Sequence, residues 1–338
     1  MDKLNEDVKI VAPFYINEYL LNMPKNIVVG THVNPINYRL NSVLFKINNY
    51  LSRRIVKKYQ PNIIHETYYS KFPIITSKCP RVLTVYDLIH ERFNNFFSSN
   101  NDTIELKKQS ILRADHIISI SDNTKKDLME IYNIDEKKIS TIYLAPSSPP
   151  SKNVFKKENL YDKPYLLYVG GREGYKNFDL LIKAIGLSHK LKNSINLIAF
   201  GGPPFNVKEK KLIENAQLTS NQIVYMNGND NILSDLYQNA EAFVFPSLYE
   251  GFGIPPLEAM LNGCPVISSN TSSIPEVVGN AGEYFNPESV EEIIYAIEKV
   301  IFSNVRKAEL IALGFQRSKM FTWKKCANET LSIYKTLL

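Results

Sequence analysis

Short runs of apolar and β-branched residues alternate with longer stretches of helical spacing along almost the whole chain, and the alternation pauses once before starting again. In the first half the β-type runs are Val8–Ala12, Asn26–Val29, Asn62–His65, Arg81–Tyr86, His116–Ser119 and Lys138–Tyr143. Between them lie helical patterns such as Arg39–Gln60, where Leu40, Val43, Leu44, Ile47, Leu51 and Ile55 recur every three or four residues. Asp122–Tyr132 opens on Asp122, Asn123 and Thr124, residue types that cap a helix start. Leu144–Lys163 is rich in Pro, Ser and Lys and reads as a linker. The pattern then resumes with strands at Tyr165–Val169, Ile195–Phe200, Ile223–Met226, Ala242–Phe245 and Pro265–Ser268 and a helix over Asn177–Leu191. Three helices, Pro287–Phe302, Asn304–Lys319 and Thr322–Leu337, close the chain.

Strands that alternate with helices form βαβ units and parallel sheets covered on both faces. The expected fold is therefore α/β: two doubly wound, Rossmann-like domains facing a cleft. Residues 1–150 would form the first, 151–322 the second, and 323–338 a terminal helix packing back on the first. The 338 residues suit two domains of this size. The halves differ in composition. Residues 1–160 carry 23 Lys and Arg against 16 Asp and Glu, and every glycine except Gly30 lies between Gly170 and Gly314. The tight turns thus belong to the second half. No apolar run reaches membrane-spanning length, and the acidic start MDKLNEDVKI has no secretory core, so a cytoplasmic protein is expected. The scattered cysteines Cys79, Cys264 and Cys326 argue against a disulfide scaffold or a structural zinc. The basic excess is modest and not interleaved with aromatics, which argues against nucleic acid as a partner.

In doubly wound sheets, ligands bind beyond the carboxyl ends of the strands. Two loops there stand out. Gly170-Gly171-Arg172-Glu173-Gly174-Tyr175-Lys176-Asn177 follows a strand. Its glycines permit close backbone approach, and Arg172 and Lys176 can clamp phosphate oxygens. The order matches neither a P-loop nor G-x-G-x-x-G, and an ordinary turn with solvated charges is the alternative. The second loop runs from Phe243 to Glu258. It carries Pro246-Ser247, Glu250, Gly251 and Gly253 and enters a helix near Pro255 or Pro256, with Glu258 expected in its first turn. Free N–H groups there favour anions, and two carboxylates can each accept from vicinal hydroxyls. A nucleotide sugar offers a diphosphate, a ribose diol and sugar hydroxyls. The plainer alternative makes Glu258 a favourable helix acid and Glu250 a loop charge.

Glu250 and Glu258 have seven residues between them. They follow a strand ending in Pro246-Ser247 and continue into Ala259, Gly263-Cys-Pro-Val266 and Ser273-Ile-Pro-Glu276. This second half resembles the C-terminal domain of family 4 glycosyltransferases, retaining enzymes of the GT-B fold. The likeness spans roughly residues 80–338 and is most specific over 243–285. Arg172 and Lys176-Asn177 resemble the family's diphosphate-binding pair, and Trp323 the tryptophan that often opens its terminal helix. The resemblance implies that Glu250 binds donor-sugar hydroxyls, with the backbone of Gly251, Phe252, Gly253 and Ile254 assisting, and that Glu258 binds the ribose. Arg172 and Lys176, with Gly171 beside them, would neutralise the departing diphosphate, and the base would sit near Asn227–Ile232. No D-x-D is present, so neither a metal nor another cofactor is expected.

Where the family often has His-Asp, this chain has Tyr86-Asp87, with His90-Glu91 shortly after. Asp87 is expected near the acceptor or the donor sugar. His90 is a weaker candidate, the alternative being a half-buried loop histidine. The family normally opens on a strand and a glycine-rich loop, and this chain reads as starting at the second strand. The implied function is transfer of a sugar, GDP-mannose being the favoured donor over UDP-sugars, with retention. The acceptor would be a hydroxyl of a glycan or polyprenyl-diphosphate-linked glycan in polysaccharide or O-antigen assembly. A GT-B epimerase and a non-catalytic nucleotide-sugar-binding subunit are the alternatives. Arg53, Arg54, Lys57 and Lys58 on helix 39–60 could rest on an anionic membrane face, or form a solvated outer surface.

Overall fold

The computed structural model describes residues 7–34, 38–71, 73, 79–97, 102–147, 164–172 and 174–338; for 35–46 no side chains are described. Most of the linker read at Leu144–Lys163 and Glu173 of the first candidate loop lie outside the described residues. The chain forms two compact units, each a Rossmann-like α/β assembly with parallel strands. The first comprises Met1–Val85, Asp102–Ile118 and Ala327–Leu338; the second comprises Tyr86–Asn101 and Ser119–Cys326.

The sheet of the second unit positions the candidate loops. Its strands are β1 (Tyr165–Val169), β2 (Asn196–Phe200), β3 (Ile223–Met226), β4 (Ala242–Phe245), β5 (Val266–Ser269) and β6 (Gly282–Phe285). They run parallel in the order 3-2-1-4-5-6. The order reverses between β1 and β4, which is where such sheets open a crevice for ligands. The apolar runs of β1, β2 and β4 are continuous because both faces are buried. Leu166 and Tyr168 pack among Phe178, Leu181 and Ile297 on one side. Tyr165 and Leu167, one residue out of phase, pack among Ile198, Phe243, Phe245 and Leu257 on the other.

Helical spacing read past one break. The stretch expected as Asn177–Leu191 divides into Phe178–Leu187 and His189–Ser194, because the Ser188 hydroxyl accepts from the Leu191 N–H and caps a new helix. The helix Asp122–Tyr132 has the expected bounds, but its cap is Ser121, which accepts from the Thr124 N–H at 3.0 Å. The Glu276 carboxylate also takes the free N–H groups of Asp122 and Asn123, at 2.5 and 3.2 Å. These are among the N–H groups that a helix start leaves without an intrahelical acceptor.

In the first unit, Ile10–Tyr15 pairs in parallel with Val28–His32, and Ile64–Glu66 with Arg81–Val85. Gly30 is required there, since a Cβ would lie 1.7 Å from the Ala12 carbonyl oxygen. Tyr38–Tyr59 is one helix, exposing Tyr50, Arg53, Arg54, Lys57 and Lys58. The terminal helix Trp323–Leu337 sends Tyr334 into this unit. The Tyr334 hydroxyl lies 2.5 Å from Nδ1 of His65, whose Nε2 lies 2.7 Å from Thr84 Oγ1. Burial holds the His65 imidazole down at about 4, so it is neutral near pH 7. No helix among the described residues is long and apolar enough to cross a membrane.

Candidate functional site

The loops after β1 and β4 meet at the point where the strand order reverses. Beyond β1, the chain passes Gly170 (φ +125°) and forms a short 3-10 turn over Gly174–Lys176. Asn177 (φ +58°) then fastens the loop to its neighbours: its Nδ2 donates to the carbonyls of Pro246 at 3.1 Å and Pro287 at 2.7 Å. The Leu248 N–H donates to the Tyr175 carbonyl at 2.8 Å. These bonds bring Lys176 against Glu250, with Nζ 2.8 and 3.0 Å from the two carboxylate oxygens. Glu250 is only 8% exposed, so the pair sits where water screens it poorly.

The Glu250 loop is built on a second one. Ser269 Oγ donates to the Ser247 carbonyl, Thr271 Oγ1 to that of Leu248, and Ser273 Oγ to those of Glu250 and Phe252. The Glu250 N–H donates to Ser272 Oγ at 2.9 Å. The run Ser268-Ser269-Asn270-Thr271-Ser272-Ser273 is thus the scaffold of the carboxylate loop. Its polarity is plain in the sequence, but its partners, some twenty residues earlier, are not. The Phe252 ring is buried between Tyr143 and Phe321.

Gly253 (φ +138°) precedes the helix Ile254–Leu261, which has proline at its start. Glu258 lies one turn further in than expected, outside the first turn. It is half-buried, and its carboxyl is pushed up to about 7, first by desolvation and then by the nearby Asp230 carboxylate. The sign of the pH effect follows. An acid whose folded value exceeds its ordinary value near 4.5 holds a proton in the fold that the unfolded chain has lost, so its contribution to stability falls as pH rises from about 4.5 through 7. Glu258→Gln removes the titrating group. Its denaturant midpoint should therefore change less than the parent's between pH 5 and 8, and an unaltered slope would refute the assignment.

Arg172 has other partners than Lys176. Arg172 donates from Nε to Glu209 at 2.6 Å, from one terminal nitrogen to the Gly201 carbonyl at 3.1 Å, and from the other to the Pro203 carbonyl. Its guanidinium lies 4.9 Å from the Phe205 ring centroid and 5.7 Å from those of Phe178 and Tyr225. The two bases thus hold different partners, and Glu209, 37 residues away, is a partner of Arg172 that the sequence left unmarked.

Tyr86, Asp87 and His90 belong to the same unit. The Tyr86 carbonyl lies so close to Gly251 that a Cβ there would stand 2.0 Å from its oxygen. Burial raises the Tyr86 hydroxyl above its ordinary value. Asp87 Oδ1 accepts from the Ile89 N–H at 3.1 Å, and the His90 ring stacks on Phe97 with centroids 4.0 Å apart. Among the described residues, no three His, Cys, Asp or Glu side chains gather to hold a metal ion.

The family model "Glycosyl transferases group 1" matches residues 150–314, and "Glycosyltransferase Family 4" matches residues 1–145. O-antigen chain mannosyltransferase B of Escherichia coli is 32% identical over 240 residues, covering 68% of this chain and 62% of that protein. This chain thus spans under two thirds of that relative's length. O-antigen chain mannosyltransferase RfbU of Salmonella typhimurium is 29% identical over 265 residues, covering 78% of this chain and 72% of the relative. Among solved structures, sucrose-phosphate synthase from Thermosynechococcus elongatus superposes with a TM-score of 0.74 at 18% identity, covering 93% of this chain and 84% of that one. WaaG, a glycosyltransferase involved in lipopolysaccharide biosynthesis, gives 0.70 at 16% identity, covering 93% and 88%. The fold is GT-B, and the chain belongs to the family 4 glycosyltransferases.

Proposed function

We propose that the protein transfers a sugar, with retention, from a nucleoside-diphosphate sugar to a hydroxyl of a growing glycan. GDP-mannose is the preferred donor. The observation that carries this reading is the Lys176–Glu250 pair at the reversal of strand order, followed in the chain by Gly251–Gly253 and the helix that carries Glu258. On donor entry, Lys176 Nζ turns from Glu250 to the diphosphate, and the freed carboxylate accepts from sugar hydroxyls. As the anomeric C–O bond breaks and a new one forms to the acceptor oxygen, whose proton passes to the departing diphosphate, charge develops on that diphosphate, and the Lys176 cation stabilises the transition state more than the ground state. Glu258, ionised above about pH 7, accepts from the ribose diol. Asp87 and Tyr86, against Gly251, lie on the side from which the acceptor hydroxyl approaches. Mannose donors and O-antigen glycans are favoured because the two curated relatives described above are named O-antigen mannosyltransferases.

In the same reading, residues 1–150 receive the acceptor and 151–322 the donor, with 323–338 completing the first domain. A polyprenyl-diphosphate-linked acceptor fits the exposed basic stripe Arg53, Arg54, Lys57 and Lys58, which would rest on the anionic inner membrane face. A donor screen tests the proposal. GDP-mannose and UDP-sugars are offered with a lipid-linked glycan, and the anomeric configuration of the product is read by NMR. Retained configuration with GDP-mannose is expected; inversion, or epimerised donor with no transfer, would refute it.

A further inference from the structure

The segment that carries Tyr86, Asp87 and His90 ends in three phenylalanines, and their rings meet the two loops of the donor site at matched positions. Phe93 lies 6.5 Å from Tyr175 and 5.8 Å from Tyr249, centroid to centroid. Tyr175 is the immediate chain neighbour of Lys176, and Tyr249 that of Glu250. Phe97 stacks on His90 at 4.0 Å and reaches Tyr175 at 6.0 Å. Phe96 lies against Gly174, where a Cβ would stand 2.4 Å from its ring. Polar bonds anchor the cluster. The Tyr249 hydroxyl donates to Asp127, which is 3% exposed, and Arg92 donates to the same carboxylate and to Glu130 at 2.5 Å. Burial and Asp127 push the Tyr249 hydroxyl far above its ordinary value, so it stays a proton donor. The Tyr132 hydroxyl donates to Glu91 at 2.8 Å.

From this geometry we infer that Phe93 is a positioning residue for sugar transfer: its ring sets the spacing between the Lys176–Glu250 pair and the Tyr86–Asp87–His90 segment. The inference rests on the donor-site reading above. Phe93 touches neither charged group, but it contacts the residue next to each. Aromatic pairs at these separations contribute beyond their buried area and fix relative orientation. A displacement of about 1 Å between a held donor and its reacting partner can cost about 100-fold in rate. Loss of the ring should therefore slow turnover more than it weakens binding of the donor.

Two measurements decide this. Hydrogen exchange on the full-length Phe93→Ala protein, with no ligand, should show faster exchange in both 174–177 and 248–253, with the strands β1 and β4 unchanged. Steady-state kinetics with GDP-mannose should show kcat reduced at least tenfold and donor KM within twofold, while Phe93→Tyr restores kcat to within threefold. Exchange unchanged in either loop, or a raised KM with kcat intact, would overturn the inference. If Phe93→Ala does not fold, Phe93→Leu keeps apolar bulk without the ring and should speed exchange in both loops; unchanged exchange there counts equally against the inference. The exchange measurement needs no donor, so a parent protein that transfers no sugar would retire the donor-site reading while the hold of Phe93 on the two loops was still decided.

Discussion

Lys176→Ala is expected to lower kcat by about 100- to 1000-fold, the usual loss when one charge-stabilising group is removed at a departing anion. It should also destabilise the fold. Glu250 is 8% exposed, and its carboxylate faces Lys176 Nζ at 2.8 and 3.0 Å. Removing one member of a largely buried pair typically costs about 3–5 kcal/mol, because the remaining charge is left unpaired. A second variant separates the two effects. Lys176→Met combined with Glu250→Gln removes both charges and should recover most of the unfolding free energy in denaturant titration, while turnover stays low. If the double variant regained activity along with stability, the pair would be a structural contact only.

Gly251→Ala should be the next most damaging change, for a different reason. The added Cβ would lie 2.0 Å from the Tyr86 carbonyl oxygen and 2.9 Å from Asp87 Cβ, both on a tightly held segment. Overpacking of this kind costs about 1–3 kcal/mol. Relief can come only by parting the Glu250 loop from Tyr86–Asp87. The expected result is a kcat loss of about 100-fold, following the steep dependence of rate on placement, with the thermal midpoint lowered. Full activity with an unaltered midpoint would show that the two segments are not apposed in solution.

Much of the second unit was legible because parallel strands buried on both faces leave uninterrupted apolar runs, as in Tyr165–Val169 and Ala242–Phe245. The Glu250–Glu258 loop announced itself through prolines and glycines, whose conformational demands are local. Other features depend on partners distant in sequence. Gly282–Phe285 is a strand despite its glycine and Glu283, because pairing with β5 outweighs its weak propensity; Glu283 is held by Lys299 and Arg306. Arg172 read as a phosphate ligand from its loop alone, and nothing near it in sequence pointed to Glu209. The break at Ser188 was masked by apolar spacing that continues through Leu191. The association of Tyr86–Asn101 with the second unit depends on ring contacts to Tyr175 and Tyr249, which no local pattern encodes.

The bond between His65 and Tyr334 has a consequence for how the protein is made. These residues are 269 positions apart, yet they belong to one unit. Domains emerging from a ribosome generally fold in order, the leading one first. Here the first unit must wait for Tyr334, made after every residue of the second unit, before His65 gains that partner, so the unit begun first closes after the other.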